Sequence, residues 1–309
     1  MGLEVTWART RAWSKQNAET FLEEARRCVK GSREYRTDHE RVPEFFFRTE
    51  GEWYDPPAIM EVWGLREKIL EQRDPAIRRM LHICLSSILV KVSRQASDSV
   101  TRVDREHQWV PKGRVESLFT RRTEEHAKNL VQATKALPDI ASEPILRLAD
   151  ATEPLELPVS SVDAIISSPP YPGTYDYVEH HRRRYIALGL DPKQAEKGEI
   201  GSRRRQKKVG SQAITEFRDS LTRAINAWNK SLAQEGSIYL VLGDGQSKEG
   251  VVATKPILSD ALRKTDFEIA AWASQPRFVR GAVGRGLKAG KYEHIFALCR
   301  KGEKVRHVG

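Results

Sequence analysis

The chain has 309 residues, a formal net charge of +10 at neutral pH, and a composition of 39% hydrophobic and 30% charged residues. That length gives room for one large domain or two small ones, and no apolar run comes near the roughly 20 residues of a membrane-spanning helix. The first residues lack the apolar segment of a secretory signal, and Cys28, Cys84 and Cys299 are too widely spaced for a disulfide framework. We therefore expect a cytoplasmic protein with no membrane contact, whose basic charge favours a polyanionic partner.

The sequence predicts that residues 1–140 form a helical region. Ser14 is a good N-cap, and the apolar residues Phe21, Ala25 and Cys28 fall on one face of the helix that follows it. The pattern predicts four helices, at Ser14–Lys30, Ala58–Gln72, Pro75–Arg94 and Arg114–Ala136.

Residues 141–309 have a different pattern, in which short apolar runs alternate with amphipathic ones. This alternation predicts an α/β sheet with helices on both faces, interrupted by a polar, basic insertion at about 187–212. The predicted strands are Pro144–Leu148, Ser161–Ile166, Gly236–Leu242, Phe267–Ala273 and Tyr292–Cys299, and the predicted helices are Ile214–Leu232 and Lys255–Lys264.

The tetrapeptide Ser168-Pro169-Pro170-Tyr171 directly follows the second predicted strand. Ligands of open α/β sheets lie beyond the carboxyl ends of the strands, so chemistry is expected here. The Ser168 hydroxyl and the Pro169 carbonyl can accept hydrogen bonds from an exocyclic amine of a nucleobase, which makes its nitrogen more nucleophilic. The two prolines fix the backbone and remove competing donors, and Tyr171 offers an aromatic face for an extruded base.

These four residues resemble the SPPY signature of the amino-methyltransferases that act on cytosine N4 or adenine N6 in DNA. The resemblance continues through Pro172–Tyr177, Gly236–Gly245 and Lys291–Arg300, where Glu293 matches an acidic position of the family, and it covers about residues 145–300. It implies a Rossmann-like methyltransferase sheet, S-adenosyl-L-methionine as cofactor, and DNA as partner. In such a site Ser168, Pro169 and Pro170 would orient the amine and Tyr171 would hold the base. SPPY is commoner in the cytosine-N4 members, which favours cytosine over adenine.

The glycine-rich F-x-G-x-G turn that binds the cofactor in this family is not found in the sequence. Gly243-Asp244-Gly245 is the nearest string, and we interpret it as a turn near the target pocket, with a degenerate cofactor loop as the alternative. The simplest hypothesis is that the cofactor half belongs to a second chain, as in a split enzyme, or has been lost. Asp150 follows the first predicted strand of this region and is a candidate to contact the cofactor's adenine; the alternative is a capping or turn residue.

Two basic clusters follow the tetrapeptide and are candidates to neutralise DNA phosphates on either side of the target base. A solvated loop with no specific partner is the alternative. The spacing around His180 and His181 matches no metal-ligand pattern, so we expect no zinc site. The candidate DNA-binding residues are Arg182, Arg183, Arg184, Arg203, Arg204, Arg205, Lys207 and Lys208.

Two other functions stay open at this point. One is an amino-methyltransferase that acts on RNA, and the other is a catalytically incomplete DNA-binding subunit or remnant. Asp55-Pro56-Pro57 resembles the sister motif DPPY, but Ala58 replaces the aromatic residue and no apolar strand precedes it. We interpret it as the turn that begins a helix, because proline suits the first helical turn.

Overall fold

The computed structural model describes residues 2–97, 100–136, 144–197, 199–247, 250–277 and 291–303. The chain is a mixed α/β protein that divides into two compact units. Unit 1 comprises Met1–Leu148 and Val178–Ala195, and unit 2 comprises Ala149–Tyr177 and Glu196–Gly309. The sequence pattern predicts a single region over 141–309, whereas the segment Val178–Ala195 belongs to unit 1.

The described part of unit 1 is helical, with two short antiparallel strands. Among the described residues no helix has the length and apolarity to cross a membrane. Its helices are α1 (Gly2–Thr10), α2 (Lys15–Ser32), α3 (Glu44–Glu50), α4 (Pro56–Leu70), α5 (Pro75–Ile88), α6 (Arg114–Ala136) and most of α7 (Tyr177–Ala187) and α8 (Pro192–Lys197), and its antiparallel strands are β1 (Gln95–Ser97) and β2 (Val100–Val103).

The helix predictions for unit 1 are confirmed at α2, α4, α5 and α6. The Ser14 hydroxyl accepts a hydrogen bond from the Asn17 N–H at 3.0 Å and caps α2, as its sequence position indicated. Asp55 stands at the N-cap of α4 with prolines in the first turn, so the interpretation of Asp55-Pro56-Pro57 as a helix start is also confirmed. The side chains of Phe21, Leu65 and Phe119 are fully buried in the core between these helices.

Unit 2 is built on a four-stranded sheet in the order β3-β4-β8-β7. Strand β3 runs parallel to β4, and β8 runs antiparallel to both of its neighbours. The strands of the unit are β3 (Val162–Ser167), β4 (Leu232–Gly243), β5 (Gly245–Gln246), β6 (Val251–Val252), β7 (Phe267–Pro276) and β8 (Tyr292–Arg300), and its helices are α9 (Arg203–Val209), α10 (Ser211–Asn229) and α11 (Thr254–Leu262).

Helices α10 and α11 pack on one face of this sheet. Ile225 of α10 and Leu258 of α11 are fully buried against the face that carries Leu240. The opposite face carries Ile166 and Ile295, whose side chains are 78% and 54% exposed. The prediction of helices on both faces is therefore wrong for the described part of unit 2.

The predicted strand Pro144–Leu148 does not form. A strand is stable only when its backbone pairs with another strand, and no described strand pairs with this segment. Its apolar residues Ile145 and Leu148 are 78% and 89% exposed. The outer edge of β3 likewise has no neighbouring strand among the described residues. The prediction that Asp150 stands at the end of a strand is therefore wrong.

Candidate functional site

The candidate residues of unit 2 lie at one edge of the sheet, the edge formed by the carboxyl ends of its parallel strands. Strands β3, β4 and β7 end at this edge and β8 begins there, because β8 is antiparallel to β4 and β7. The segment Ser168–Tyr171 leaves β3 at the same edge, which is where open α/β sheets bind ligands. Ser168 is exposed and the two prolines after it are partly buried, so the hydroxyl is accessible to a ligand.

Tyr171 is held by a carboxylate from across the sheet. Its hydroxyl donates a hydrogen bond to Glu293 Oε1 at 2.7 Å, and Gln275 Nε2 donates to the other oxygen of Glu293 at 3.1 Å. Burial and the bond to Glu293 raise the pKa of Tyr171 to about 12, while a hydrogen bond with Ser168 works in the opposite direction. The hydrogen bond from Tyr171 lowers the pKa of Glu293. Tyr171 is thus a neutral donor with a fixed ring position.

The two glycines of Gly243-Asp244-Gly245 allow the segment after β3 to approach the end of β4. A Cβ atom on Gly243 would lie 2.6 Å from a ring carbon of Tyr171, and one on Gly245 would lie 1.9 Å from the carbonyl oxygen of Pro172. Both positions therefore require glycine for close approach. This contact places the string beside the segment that begins with Ser168–Tyr171.

Asp244, between these glycines, connects three elements of unit 2. Its buried carboxylate accepts hydrogen bonds from the Thr254 and Tyr292 N–H groups, both at 2.9 Å, and lies 3.3 Å from His294 Nε2. His294 Nδ1 is in turn 2.7 Å from the Ser274 hydroxyl. Asp244 therefore fixes the end of β4, the start of β8 and the start of α11, a role that the sequence pattern did not predict.

Arg277, directly after β7, covers the ring of Tyr171. Its guanidinium carbon is 5.1 Å from the ring centroid, and one nitrogen donates to the carbonyl oxygen of Asp244 at 3.4 Å. A base that stacks on Tyr171 would share or replace this cation–π contact. The sequence pattern does not indicate this role of Arg277, because Arg277 lies more than 100 residues from Tyr171 along the chain.

The first basic cluster lies on α7 and does not form a single exposed patch. Arg183 is only 3% exposed; its guanidinium lies 3.4 Å from the centroid of the Trp53 ring and donates to Gln95 Oε1 at 2.9 Å. The prediction that Arg183 binds DNA is therefore wrong, because the side chain is part of the interior of unit 1. Arg182 pairs with Glu179 at 2.8 Å, and Arg184 is partly buried.

The second basic cluster lies on α9 in unit 2. Asp176 accepts hydrogen bonds from the Ser202 hydroxyl at 2.8 Å and from the Arg204 N–H at 2.7 Å, which fixes the start of this helix. The Arg204 side chain lies 3.8 Å from both Asp176 and Glu196. Arg203 and Lys207 line a pocket, and Lys208 is exposed. The side chain of Arg205 lies outside the described residues.

Asp150 forms a turn at the surface of unit 2. Its carboxylate accepts hydrogen bonds from the N–H and the hydroxyl of Thr152, both at 2.8 Å. Both bonds lower the pKa of Asp150, and the backbone bond has the larger effect. The alternative interpretation of Asp150 as a turn residue is therefore confirmed. With Pro172, Gly173 and Phe217 it also lines a cleft of about 220 Å³ beside the segment that follows Tyr171.

No protein-family model matches the chain, and a search of curated proteins also finds no match.

Proposed function

We propose that the chain is the catalytic half of a Rossmann-like, S-adenosyl-L-methionine-dependent methyltransferase that modifies an exocyclic base amine of DNA, with cytosine N4 favoured over adenine N6. The observation that carries the proposal is the position of Ser168–Tyr171. The segment follows a parallel strand at the ligand-binding edge of the sheet, and Tyr171 is fixed there by Glu293 and Gly243. The resemblance of this segment to the amino-methyltransferase signature supplies the reaction class.

The residues of this edge account for the handling of the base. The Ser168 hydroxyl oxygen and the Pro169 carbonyl oxygen would accept hydrogen bonds from the two N–H groups of the amine. These bonds would draw the lone pair of the nitrogen out of conjugation with the ring. Tyr171 would stack on the base, an interaction worth roughly 1–3 kcal/mol per base. Because Glu293 holds the tyrosine hydroxyl and Gly243 supports the ring, little conformational freedom is lost when the base binds.

The cofactor, when bound, would supply an electrophilic methyl group. The described residues provide only part of a site for it: the cleft beside Pro172 and Gly173 has the Asp150 carboxylate on its wall, but the sequence contains no F-x-G-x-G turn. We therefore assign no cofactor-dependent step to these residues. A second chain is proposed to complete the site, and the outer edge of β3, which has no neighbouring strand among the described residues, supports a partner that contributes strands.

A DNA-binding subunit without activity of its own is the second candidate. The incomplete cofactor cleft favours it, and it shares the base pocket with the first proposal. An RNA amino-methyltransferase is the third candidate, and the test below includes its substrate.

The test is transfer of a deuterated methyl group. The chain, alone and together with any protein from the same source that carries F-x-G-x-G, is incubated with unmethylated DNA or RNA and trideuteromethyl-labelled S-adenosyl-L-methionine, and the nucleosides are analysed by mass spectrometry. We expect labelled N4-methylcytosine from DNA and its loss in Ser168→Ala. Label only in RNA, or label only on a ring carbon, contradicts the proposal. Cofactor-independent DNA binding without transfer in any combination favours the inactive subunit.

A further inference from the structure

A pocket of about 340 Å³ lies next to the candidate base site, within unit 2. Its wall includes Thr174, which follows the tetrapeptide by three residues, and Gln246 of β5. Three cationic side chains converge on it from two other parts of the unit: Arg203 and Lys207 of α9, and Lys291 immediately before β8.

These three cations have no carboxylate within ion-pair distance among the described residues. Burial is the main cause that lowers the pKa of Lys291. The neighbouring Arg277 and Arg203 lower it further, whereas Asp244 raises it. A partly buried lysine among like charges is costly unless an anion compensates it. By contrast, Arg204 on the same helix already lies near two carboxylates, from Asp176 and Glu196.

The backbone links the pocket closely to Tyr171. The Thr174 N–H donates to the Tyr171 carbonyl at 3.3 Å, and the Gly173 N–H donates to the Gly201 carbonyl at 3.0 Å, two residues before Arg203. Arginine, lysine, threonine and glutamine side chains are the usual ligands of nucleic-acid phosphates, and such contacts set the register of the strand. An anion held here would therefore fix the strand relative to the base at Tyr171.

We propose that this pocket binds one backbone phosphate of DNA, adjacent to the nucleotide whose base occupies the Tyr171 site. Arg203, Lys207 and Lys291 provide the charge. The Gln246 amide, which donates one N–H to the Ser247 carbonyl, provides a hydrogen bond through its second N–H. The identity of the neighbouring base rests on the proposed function, whereas the phosphate contact requires neither cofactor nor methyl transfer. The pocket is lined by two residues of the second basic cluster, Arg203 and Lys207, and by Lys291, which lies more than 80 residues away along the chain.

The test measures binding of a fluorescein-labelled, single-stranded 12-mer of mixed sequence to the full chain by fluorescence anisotropy over a range of salt concentrations. Arg203→Ala, Lys207→Ala and Lys291→Ala should each weaken binding about 5- to 10-fold, and the triple variant should reduce the slope of log affinity against log salt by about 0.7, the value for one phosphate contact on a single strand. Lys230→Ala removes an equal charge from an exposed position at the end of α10 and should leave the slope unchanged. Lys291→Arg keeps the charge and should retain the wild-type slope.

Several results would overturn the proposal. Equal losses in Lys230→Ala and in the pocket variants would show that only net charge matters. Pocket-dependent binding of an RNA 12-mer but not of DNA would overturn the choice of DNA. Binding of inorganic phosphate that the pocket variants abolish, with unchanged oligonucleotide binding, would assign the pocket to a free anion. Ser168→Ala should keep the wild-type salt slope, so failure of methyl transfer and failure of the phosphate site are distinguishable.

Discussion

Gly245→Ala is the substitution for which the structure sets the size of the effect most directly. The added Cβ would lie 1.9 Å from the Pro172 carbonyl oxygen and 2.9 Å from its carbon, both of which are backbone atoms. Relief requires the segment after Tyr171 to move by about 1 Å, since nonbonded carbon–oxygen contacts below about 3 Å are not tolerated. Overpacking of this kind costs about 1–3 kcal/mol, and a displacement of about 1 Å at a catalytic segment lowers a rate about 100-fold.

The assay has two parts. Hydrogen exchange of the β4 and β8 amides reports the stability of unit 2 alone, and we expect it to speed up in Gly245→Ala, while methyl transfer falls about 100-fold. Gly31→Ala in α2 is the control: its Cβ meets only the flexible stem of Lys68, at 3.1 Å, and alanine is the better helix former by about 1 kcal/mol. Wild-type exchange and a wild-type rate in Gly245→Ala would refute the reasoning.

Three further predictions concern single groups. Tyr171→Phe removes the donor that lowers the pKa of Glu293, so the free energy of unfolding of unit 2 should fall at neutral pH and should decrease less between neutral and acid pH than in the wild type, as measured by urea denaturation. Burial raises the pKa of Glu50 to about 7, so the folded protein binds a proton at this carboxyl more tightly than the unfolded chain does. The free energy of unfolding of unit 1 should therefore fall as the pH rises from about 4.5 to 7. Glu50→Gln should therefore stabilise unit 1 at about pH 8, by on the order of 2–3 kcal/mol, but little at about pH 4.5, whereas exposed Glu52→Gln should do neither. Burial also raises the pKa of Cys84 to about 12, so iodoacetamide at about pH 8 should label it only after unfolding, as mass spectrometry would detect.

Local sequence patterns predicted most elements of the fold. The N-cap at Ser14, the prolines that begin α4, and the apolar runs of β3 and β4 carry their own signals, so their positions followed from a few residues each. Pro144–Leu148 has the composition of a strand, but pairing depends on a neighbour that the described chain does not offer. Strand formation at this segment was therefore beyond the reach of a local pattern.

The two basic clusters show a different limit. Three consecutive arginines on a helix point about 100° apart, so Arg182, Arg183 and Arg184 face different directions, and the structure buries Arg183 alone. Charge along the sequence does not indicate which one. The motif Ser168–Tyr171 was found from its own residues, whereas the contacts of Tyr171 with Glu293 and Arg277 join parts of the chain more than 100 residues apart.

The most direct test of the central claim compares two oligonucleotides that differ in one functional group. Thymine 12-mers with a single central cytosine or a single central uracil present either an exocyclic amine or a carbonyl oxygen at the same position. We predict at least about 10-fold tighter binding of the cytosine oligonucleotide, which corresponds to the free energy of one good base contact, and loss of this preference in Ser168→Ala. Equal affinities in the wild type, or an undiminished preference in Ser168→Ala, would contradict the assignment of Ser168–Tyr171 as the site that binds a base amine.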